Sequence, residues 1–368
     1  VPIVALVAAA IWFLVRPPQA GAAEAAAAAF LLAYGLTPGV RLMALGWGAL
    51  DHPDDRKRHR SPTPKLGGVA VVAAFVLVNG RRVLVDQELL AIAISALILM
   101  VAGAIDDTRG LSARVRLGLQ LLCGAGVIGA GVQLNLLPGP AGEPINIALT
   151  MLWIVGITNA YNFIDGMDGL AASLGAMVAL LLACVASGTA QTALIPVCAA
   201  LTGALLGFLP HNLRPGRAAA IFLGDSGSAS CGFLLAALAI KEDWAEGDPL
   251  VALAAPMLIF SVLIYDMVQT TVSRIASGKV RSFRQWIDYT GRDHIHHRFT
   301  AVVGGERRAL ALILALALGV GLSALGLRGG TTGQAILFML HGVLILLVVE
   351  ILVGSARRRR SAARDEAR

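Results

Sequence analysis

The segment NAYNFIDGMDGLA, from Asn159 to Ala171, sets Asn159, Asn162, Asp165 and Asp168 between two apolar runs of a chain that otherwise carries little charge. Successive polar residues fall three apart from 159 to 168, and side chains at that spacing meet on a helix surface. Asn162 with Asp165, and Asp165 with Asp168, would then offer paired oxygens. Gly166 and Gly169 leave room for close approach of backbone or ligand. Hard oxygen donors of this kind suit Mg²⁺, which keeps several waters and binds through one or two carboxylates together with substrate phosphates. The bland alternative is an Asn/Asp/Gly-rich turn joining two helices.

Four further segments concentrate polar residues. Asp106 and Asp107 close an apolar run; adjacent carboxylates at such a place repel, bind a cation or hold one raised pKa, unless Arg109 and Arg114 simply pair with them. FLGDSGS, 222 to 228, puts Asp225 among glycines and serines at a helix start, where backbone N–H groups meet phosphate and the carboxylate takes a metal. Its GDSG tetrapeptide is not a serine-hydrolase signature here, because no G-x-S-x-G elbow accompanies it. HIHHR, 294 to 298, has neither the H-E-x-x-H spacing nor a nearby Cys for zinc, and reads better as a phosphate and sugar contact surface, with Arg298 as a bidentate fork. DHPDDRKRHRSPTPKLGG, 51 to 68, is a proline-containing loop in which Lys65 reaches for phosphate. Membrane anchoring accounts for Arg56, Lys57, Arg58 and Arg60, and contact with anionic lipid is the alternative for Arg281, Arg284 and Arg292.

The elements that must position these groups are membrane helices. Of 368 residues 57% are hydrophobic and 14% charged, with a mean hydropathy of +0.75. A helix needs about 20 apolar residues to cross hydrocarbon, where no water satisfies a free backbone. Apolar runs fall near 1–15, 24–45, 66–79, 88–104, 115–133, 146–158, 170–187, 192–209, 228–240, 249–273, 308–328 and 334–354. The first is an extra spanning helix, a signal segment or a truncation remnant. Basic residues crowd alternate loops, including those that hold all five polar segments, which the positive-inside rule makes cytoplasmic. The formal charge of +7 is therefore a topology signal spread over loops, and nucleic acid is not expected as a partner. Cys123, Cys184, Cys198 and Cys231 are too widely spaced to suggest a disulfide framework or metal site.

Taken in order, DHPDDRKRH…PTPKLGG, DDTRGLSARVRLGLQ, NAYNFIDGMDGLA, FLGDSGS and DHIHHR resemble the polyprenyl-phosphate N-acetylhexosamine-1-phosphate transferase family, glycosyltransferase family 4, over about residues 24 to 354. The resemblance implies an all-α polytopic membrane bundle of about eleven family helices, with 1–23 as an extra N-terminal segment, 24–354 as the transferase domain and 355–368 as a basic cytoplasmic tail. It also implies that polyprenyl (undecaprenyl) phosphate attacks the β-phosphate of a UDP-N-acetylhexosamine, with UDP-N-acetylglucosamine the best guess. The products are polyprenyl-diphosphate-sugar and UMP, the start of cell-envelope glycan synthesis.

Residue by residue, the resemblance implies Mg²⁺, with Mn²⁺ as the other candidate, on Asn162 and Asp225. Asp106 would act on the attacking phosphate as base or electrostatic orienter, with Asp107 and Asp165 completing the catalytic set. A phosphate's second pKa is about 6, so a strong base is not required at neutral pH. Lys65 and Arg116 would contact phosphate, Asp168 uracil, and His294, His296, His297 and Arg298 the sugar and diphosphate. Asp266, alone in an apolar run, should face the bundle or this site. The expected setting is the bacterial inner membrane, with a cytoplasmic active site, lipid contacts and a homodimer as a candidate assembly.

Residue 110 is Gly, so DDTRG is not a full D-D-x-x-D, which weakens a prenyl-synthase reading. A multi-Asp CDP-alcohol signature is missing. A transporter would place its polar groups near the bilayer midplane in repeated broken helices. A phospho-N-acetylmuramoyl-pentapeptide-type transferase is the alternative within the family, and the histidine motif favours the N-acetylglucosamine branch over it.

Overall fold

The computed structural model describes residues 21–52, 62–189, 191–241, 244, 248–282, 285–286, 289, 291 and 293–365, the side chains of 357–365 excepted. The run at 1–15, the cluster Arg56, Lys57, Arg58 and Arg60, the side chains of Arg357 to Arg360, and Arg284 and Arg292 lie outside what is described.

Thirteen α-helices are described: α1 (Ala22–Trp47), α2 (Gly67–Val85), α3 (Gln87–Arg109), α4 (Ala113–Gly129), α5 (Glu143–Ile164), α6 (Leu170–Ala186), α7 (Leu194–Asn212), α8 (Asp225–Leu238), α9 (Pro249–Ile259), α10 (Ser261–Ala276), α11 (Ile295–Val303), α12 (Glu306–Gly321) and α13 (Thr332–Asp365). A 3₁₀ turn, Leu322–Leu327, extends α12, and a two-residue antiparallel pair, β1 (Leu50–Asp51) with β2 (Thr63–Pro64), closes the loop after α1. Helix starts carry their expected signals. Asp86 caps α3 by accepting the Leu89 N–H at 3.0 Å, and Asp248 caps α9 just before Pro249.

Seven helices (α1, α2, α3, α5, α7, α12 with its 3₁₀ turn, and α13) are long and apolar enough to cross a membrane. The pair α9 and α10 meets the same measure only when taken together, and it is bent by 79° at Phe260, as in a broken span or a re-entrant loop. The sequence reads 249–273 as one unbroken run; the second half, α10, is instead an amphipathic piece whose Asp266, Thr270 and Arg274 turn inward. Three shorter helices, α4, α6 and α8, must also traverse the bundle. Each begins at the end where Asp106 and Asn212 lie, and the chain returns to that end through the next long pass. Among the described residues, eleven helical segments thus run between the two ends of the bundle, and seven of them, or eight with the bent pair, have the length and apolarity of a span.

α8 has only 14 residues and is buried along almost its whole length, so protein and not lipid satisfies its surroundings. Glycines let neighbours close on it. A Cβ on Gly68 of α2 would lie 1.9 Å from the Gly227 Cα, and one on Gly103 of α3 would lie 2.4 Å from the Asp225 backbone. Close backbone contact through small residues is the usual way membrane helices gain packing. At the far end, Lys241 ties the exit of α8 to the start of α3 through Asp86 at 3.0 Å and Glu88 at 2.8 Å.

Candidate active site

All five polar segments converge at one end of the bundle. Asp106 and Asp107 share the last turn of α3, but neighbours on a helix point about 100° apart, so they serve different partners. Asp106 accepts the Leu111 N–H at 2.5 Å and pairs with Arg116 of α4 at 2.8 Å. Asp107 is buried, and its two oxygens accept the N–H groups of Asp225 and Ser226, each at 3.0 Å. The sequence offers those amides to a phosphate; in the fold a carboxylate already holds them, as an acid at a helix N-terminus should.

Asp225 is thereby fixed at the mouth of α8. Its Oδ1 accepts from Asn162 Nδ2 at 2.9 Å and lies 3.8 Å from Arg116 Nη1. Asn162 Nδ2 also reaches Ser228 Oγ at 2.6 Å. Both donors of the amide are thus committed, and among the described residues no donor is shown on Asn162 Oδ1 or Asp225 Oδ2. Two hard oxygens beside cationic side chains fit Mg²⁺ that completes its shell with water and phosphate. No cluster of three or more His, Cys, Asp or Glu suited to a metal exists among the described residues, so a cage made of protein alone is not the arrangement here.

The expected helical stack of Asn162, Asp165 and Asp168 does not form. α5 ends at Ile164, and Asp165 and Asp168 lie in the turn that follows, which Gly169 closes with φ +78° and its N–H on Asn212 Oδ1 at 2.7 Å. Gly supplies a backbone conformation that a continuing helix would not need. Asp165 nevertheless stays near the others. Its carboxyl is pushed up to about 8, first by burial and then by the charges of Asp225, Asp107 and Asp168. Asp168 accepts the Ala219 N–H at 3.2 Å, which joins the turn to the loop before α8. Lys65 stands at the rim, 3.8 Å from Asp107 and 3.6 Å from Asp51.

A cavity of about 470 Å³ opens from this cluster. Asp106, Arg116, Asn162 and Asp225 form its polar end. Leu117, Leu121, Met151, Leu152, Val155 and Met267 carry it between α4, α5 and α10, where Leu121 and Leu152 are themselves exposed on the outer, apolar surface. Asn159 and Gln120 exchange a hydrogen bond of 2.6 Å within its wall, so the first amide of the motif serves helix pairing.

The histidine segment divides. His296 packs over the turn, and a Cβ on Gly166 would come within 2.5 Å of its Nε2; His297 is half-exposed beside it, ring centroids 4.1 Å apart. His294 and Arg298, also expected to contact substrate, are buried in bonds to protein instead. His294 Nδ1 lies 2.7 Å from Asp266, and Arg298 forks onto Glu350 of α13 at 2.6 and 3.2 Å. Sequence reading marked Asp266 as costly in lipid but left Glu350 unmentioned. Its signal was a lone acid in the last apolar run, LVVEILVG.

A multi-pass apolar bundle with a carboxylate, amide and cation cluster at one end, opening into an apolar cavity, defines the chain as an integral membrane protein with one polar site. The model of glycosyl transferase family 4 matches residues 89–242. The chain is 30% identical over 328 residues to a probable undecaprenyl-phosphate N-acetylglucosaminyl 1-phosphate transferase of Bacillus subtilis, covering 87% of this chain and 88% of the relative. It is 30% identical to a decaprenyl-phosphate N-acetylglucosaminephosphotransferase of Mycolicibacterium smegmatis, covering 88% and 86%. A phospho-N-acetylmuramoyl-pentapeptide-transferase of Synechococcus is 32% identical, covering 78% and 82%. The chain belongs to glycosyl transferase family 4.

Proposed function

We propose that the protein transfers N-acetylglucosamine 1-phosphate from UDP-N-acetylglucosamine to a polyprenyl phosphate at the cytoplasmic face of a bacterial plasma membrane. The observation that carries this reading is the single cavity that joins Asp106, Arg116, Asn162 and Asp225 to an apolar arm reaching the outer surface. A lipid phosphate and a water-soluble nucleotide meet only where such a polar end and such an arm are continuous.

In the reaction an oxygen of the lipid phosphate attacks the sugar-bearing β-phosphorus. The bond from that phosphorus to the bridging oxygen breaks, and UMP leaves with the electron pair. Bringing two phosphates together is mostly positioning and neutralisation of charge. Arg116 holds the attacking phosphate beside Asp106, and Asp106 fixes the guanidinium through their 2.8 Å bond. Lys65 adds a cation at the rim, Asp168 orients the base and His297 the sugar diphosphate. Asn162 and Asp225 would hold Mg²⁺, which would supply neutralisation of phosphate charge when bound.

Purified protein given undecaprenyl phosphate, Mg²⁺ and a panel of UDP-sugars tests the reading by release of UMP. Release with UDP-N-acetylglucosamine is expected. Release only with a UDP-N-acetylmuramoyl-pentapeptide donor would replace the sugar and keep the reaction class, in line with the Synechococcus relative. Silence across the panel in folded protein would remove the reading.

A further inference from the structure

Two acidic residues outside the cavity take both ends of the first turn of α11. Asp266 of α10 is buried, and it accepts the Ile295 N–H at 2.6 Å through one oxygen and faces His294 Nδ1 at 2.7 Å with the other. Arg274, two turns along the same helix, sets its Nη2 3.2 Å from His294 Nε2. A guanidinium only donates, so Nε2 accepts and Nδ1 donates to Asp266, which fixes the tautomer and the ring plane. Arg274 is held in turn by a fork to Asp293, 2.7 Å on each arm, and by the Tyr289 ring at 4.6 Å. Burial raises the Asp293 carboxyl, but the Arg274 hydrogen bonds and charge outweigh it and keep the group below the usual carboxylate range.

Four residues on, one turn along the helix, Arg298 points to a second partner. It meets Glu350 of α13 in a bidentate pair, and its Nη2 donates to the Tyr265 hydroxyl at 2.9 Å. Tyr265 bonds Glu350 as well, and Gln269 Nε2 lies 3.4 Å from the same carboxylate. A half-buried ion pair of this kind gives little net stability, because desolvation offsets its attraction; holding one geometry is its better use.

Between the two anchors stand His296 and His297, over Gly166 of the carboxylate turn. Phe163 stacks on His294 at 5.1 Å, which extends the contact back into α5. We propose that Asp266 and Glu350 are positioning residues of the transferase: Asp266 acting through His294, and Glu350 acting through Arg298, clamp the first turn of α11 so that His296 and His297 are presented to the sugar-diphosphate donor. The inference rests on the placement of the donor against His297 proposed above. It gives the last membrane helix a part in donor geometry although that helix contributes nothing to the cavity wall.

The test is steady-state kinetics of UMP release by the full chain in detergent, varying donor and lipid phosphate separately, on Glu350→Gln, Tyr265→Phe, Asp266→Asn, Arg298→Lys and the double variant Glu350→Gln with Arg298→Lys. Asn at 266 keeps the shape but presents an N–H to His294, which opposes the required tautomer. Expected is a loss of about tenfold or more in kcat/KM for the donor, as a small misplacement of a contact group produces. The KM for lipid phosphate should stay at its wild-type value while the melting temperature falls, because each single variant leaves a buried partner less well matched, and the double variant should be no worse than its poorer single, since the pair acts as one unit. Tyr265→Phe, which removes a single hydroxyl from Glu350, should show the same donor-only pattern on a smaller scale and covers the case that Glu350→Gln does not fold.

Unchanged donor kinetics in Tyr265→Phe and Asp266→Asn, or equal losses toward both substrates, would overturn the inference. His297→Ala separates its failure from that of the underlying reading. A raised donor KM there, with the anchor variants unaltered, removes the clamp and leaves the donor in place. An unaltered donor KM in His297→Ala removes the donor placement, and the clamp with it.

Discussion

Asp107 and Asp225, 118 positions apart, are joined by a carboxylate-to-amide hydrogen bond of 3.0 Å, and the next amide, that of Ser226, is bound at the same length. The second aspartate of the adjacent pair is therefore the cap of the central helix, and its effect on the cavity passes through the position of Asp225. Asp107→Asn retains one acceptor and the shape, whereas Asp107→Ala leaves two buried N–H groups without a partner. Loss of a capping acceptor costs about 1 kcal/mol, and an orphaned buried donor about 1–3 kcal/mol more. The expected order of melting temperature in detergent is wild type, then Asn, then Ala. Equal melting of wild type and Ala would refute the capping role.

Asp225→Asn keeps the bulk and the contact with Asn162 while removing the negative charge. The Mg²⁺ concentration for half-maximal UMP release should rise about tenfold or more, as weakened ligation produces, with melting in EDTA unchanged. Asn162→Ala should behave alike, and it also frees Ser228. An unshifted Mg²⁺ dependence in both would place the ion elsewhere.

Asp165 contributes a pH dependence to stability. Its pKa is raised to about 8 in the fold, against about 4 in an unfolded chain, so between those values the folded state alone keeps the proton. The stability it contributes is complete below about pH 4 and is lost as the pH rises through about 8. In EDTA the melting temperature should fall from pH 5 toward pH 8.5 along that course, and Asp165→Asn should flatten the fall. Mg²⁺ should also flatten it, by compensating the carboxylates directly. A slope identical in Asp165→Asn would assign the titration to another group.

Two glycines make opposite predictions. A methyl on Gly68 meets the backbone of α8 at 1.9 Å, where nothing can yield, so Gly68→Ala should lower stability by about 3 kcal/mol or prevent folding. A methyl on Gly166 meets a side chain and not backbone, the end of the buried His296 ring at 2.5 Å, which must shift to admit it. Gly166→Ala should melt closer to wild type than Gly68→Ala and lose kcat/KM for the donor. Loss of fold in Gly166→Ala, seen as aggregation in size-exclusion chromatography, would contradict that contact.

What the sequence disclosed and what it concealed divide along a physical line. Charged or amide residues that interrupt apolar runs mark themselves by their desolvation cost, which is why Asp106, Asn162, Asp225 and Asp266 were visible. Their partners were not. Nothing near Arg298 points to Glu350, 52 positions on, and nothing near Asp107 points to the start of α8. Periodicity also overran its limit at Ile164, because a spacing of three continues through a turn as readily as through a helix. The break at Phe260 escaped for a related reason: both halves are apolar enough to read as one span.

The shortness of α8 bears on how the two substrates meet. Fourteen residues rise about 21 Å, against about 30 Å of hydrocarbon, so α8 alone falls short of a full crossing. On the proposed reaction, Asp225 at its first turn would meet nucleotide sugar and lipid phosphate where the apolar arm of the cavity begins, with the isoprenoid tail left among apolar side chains.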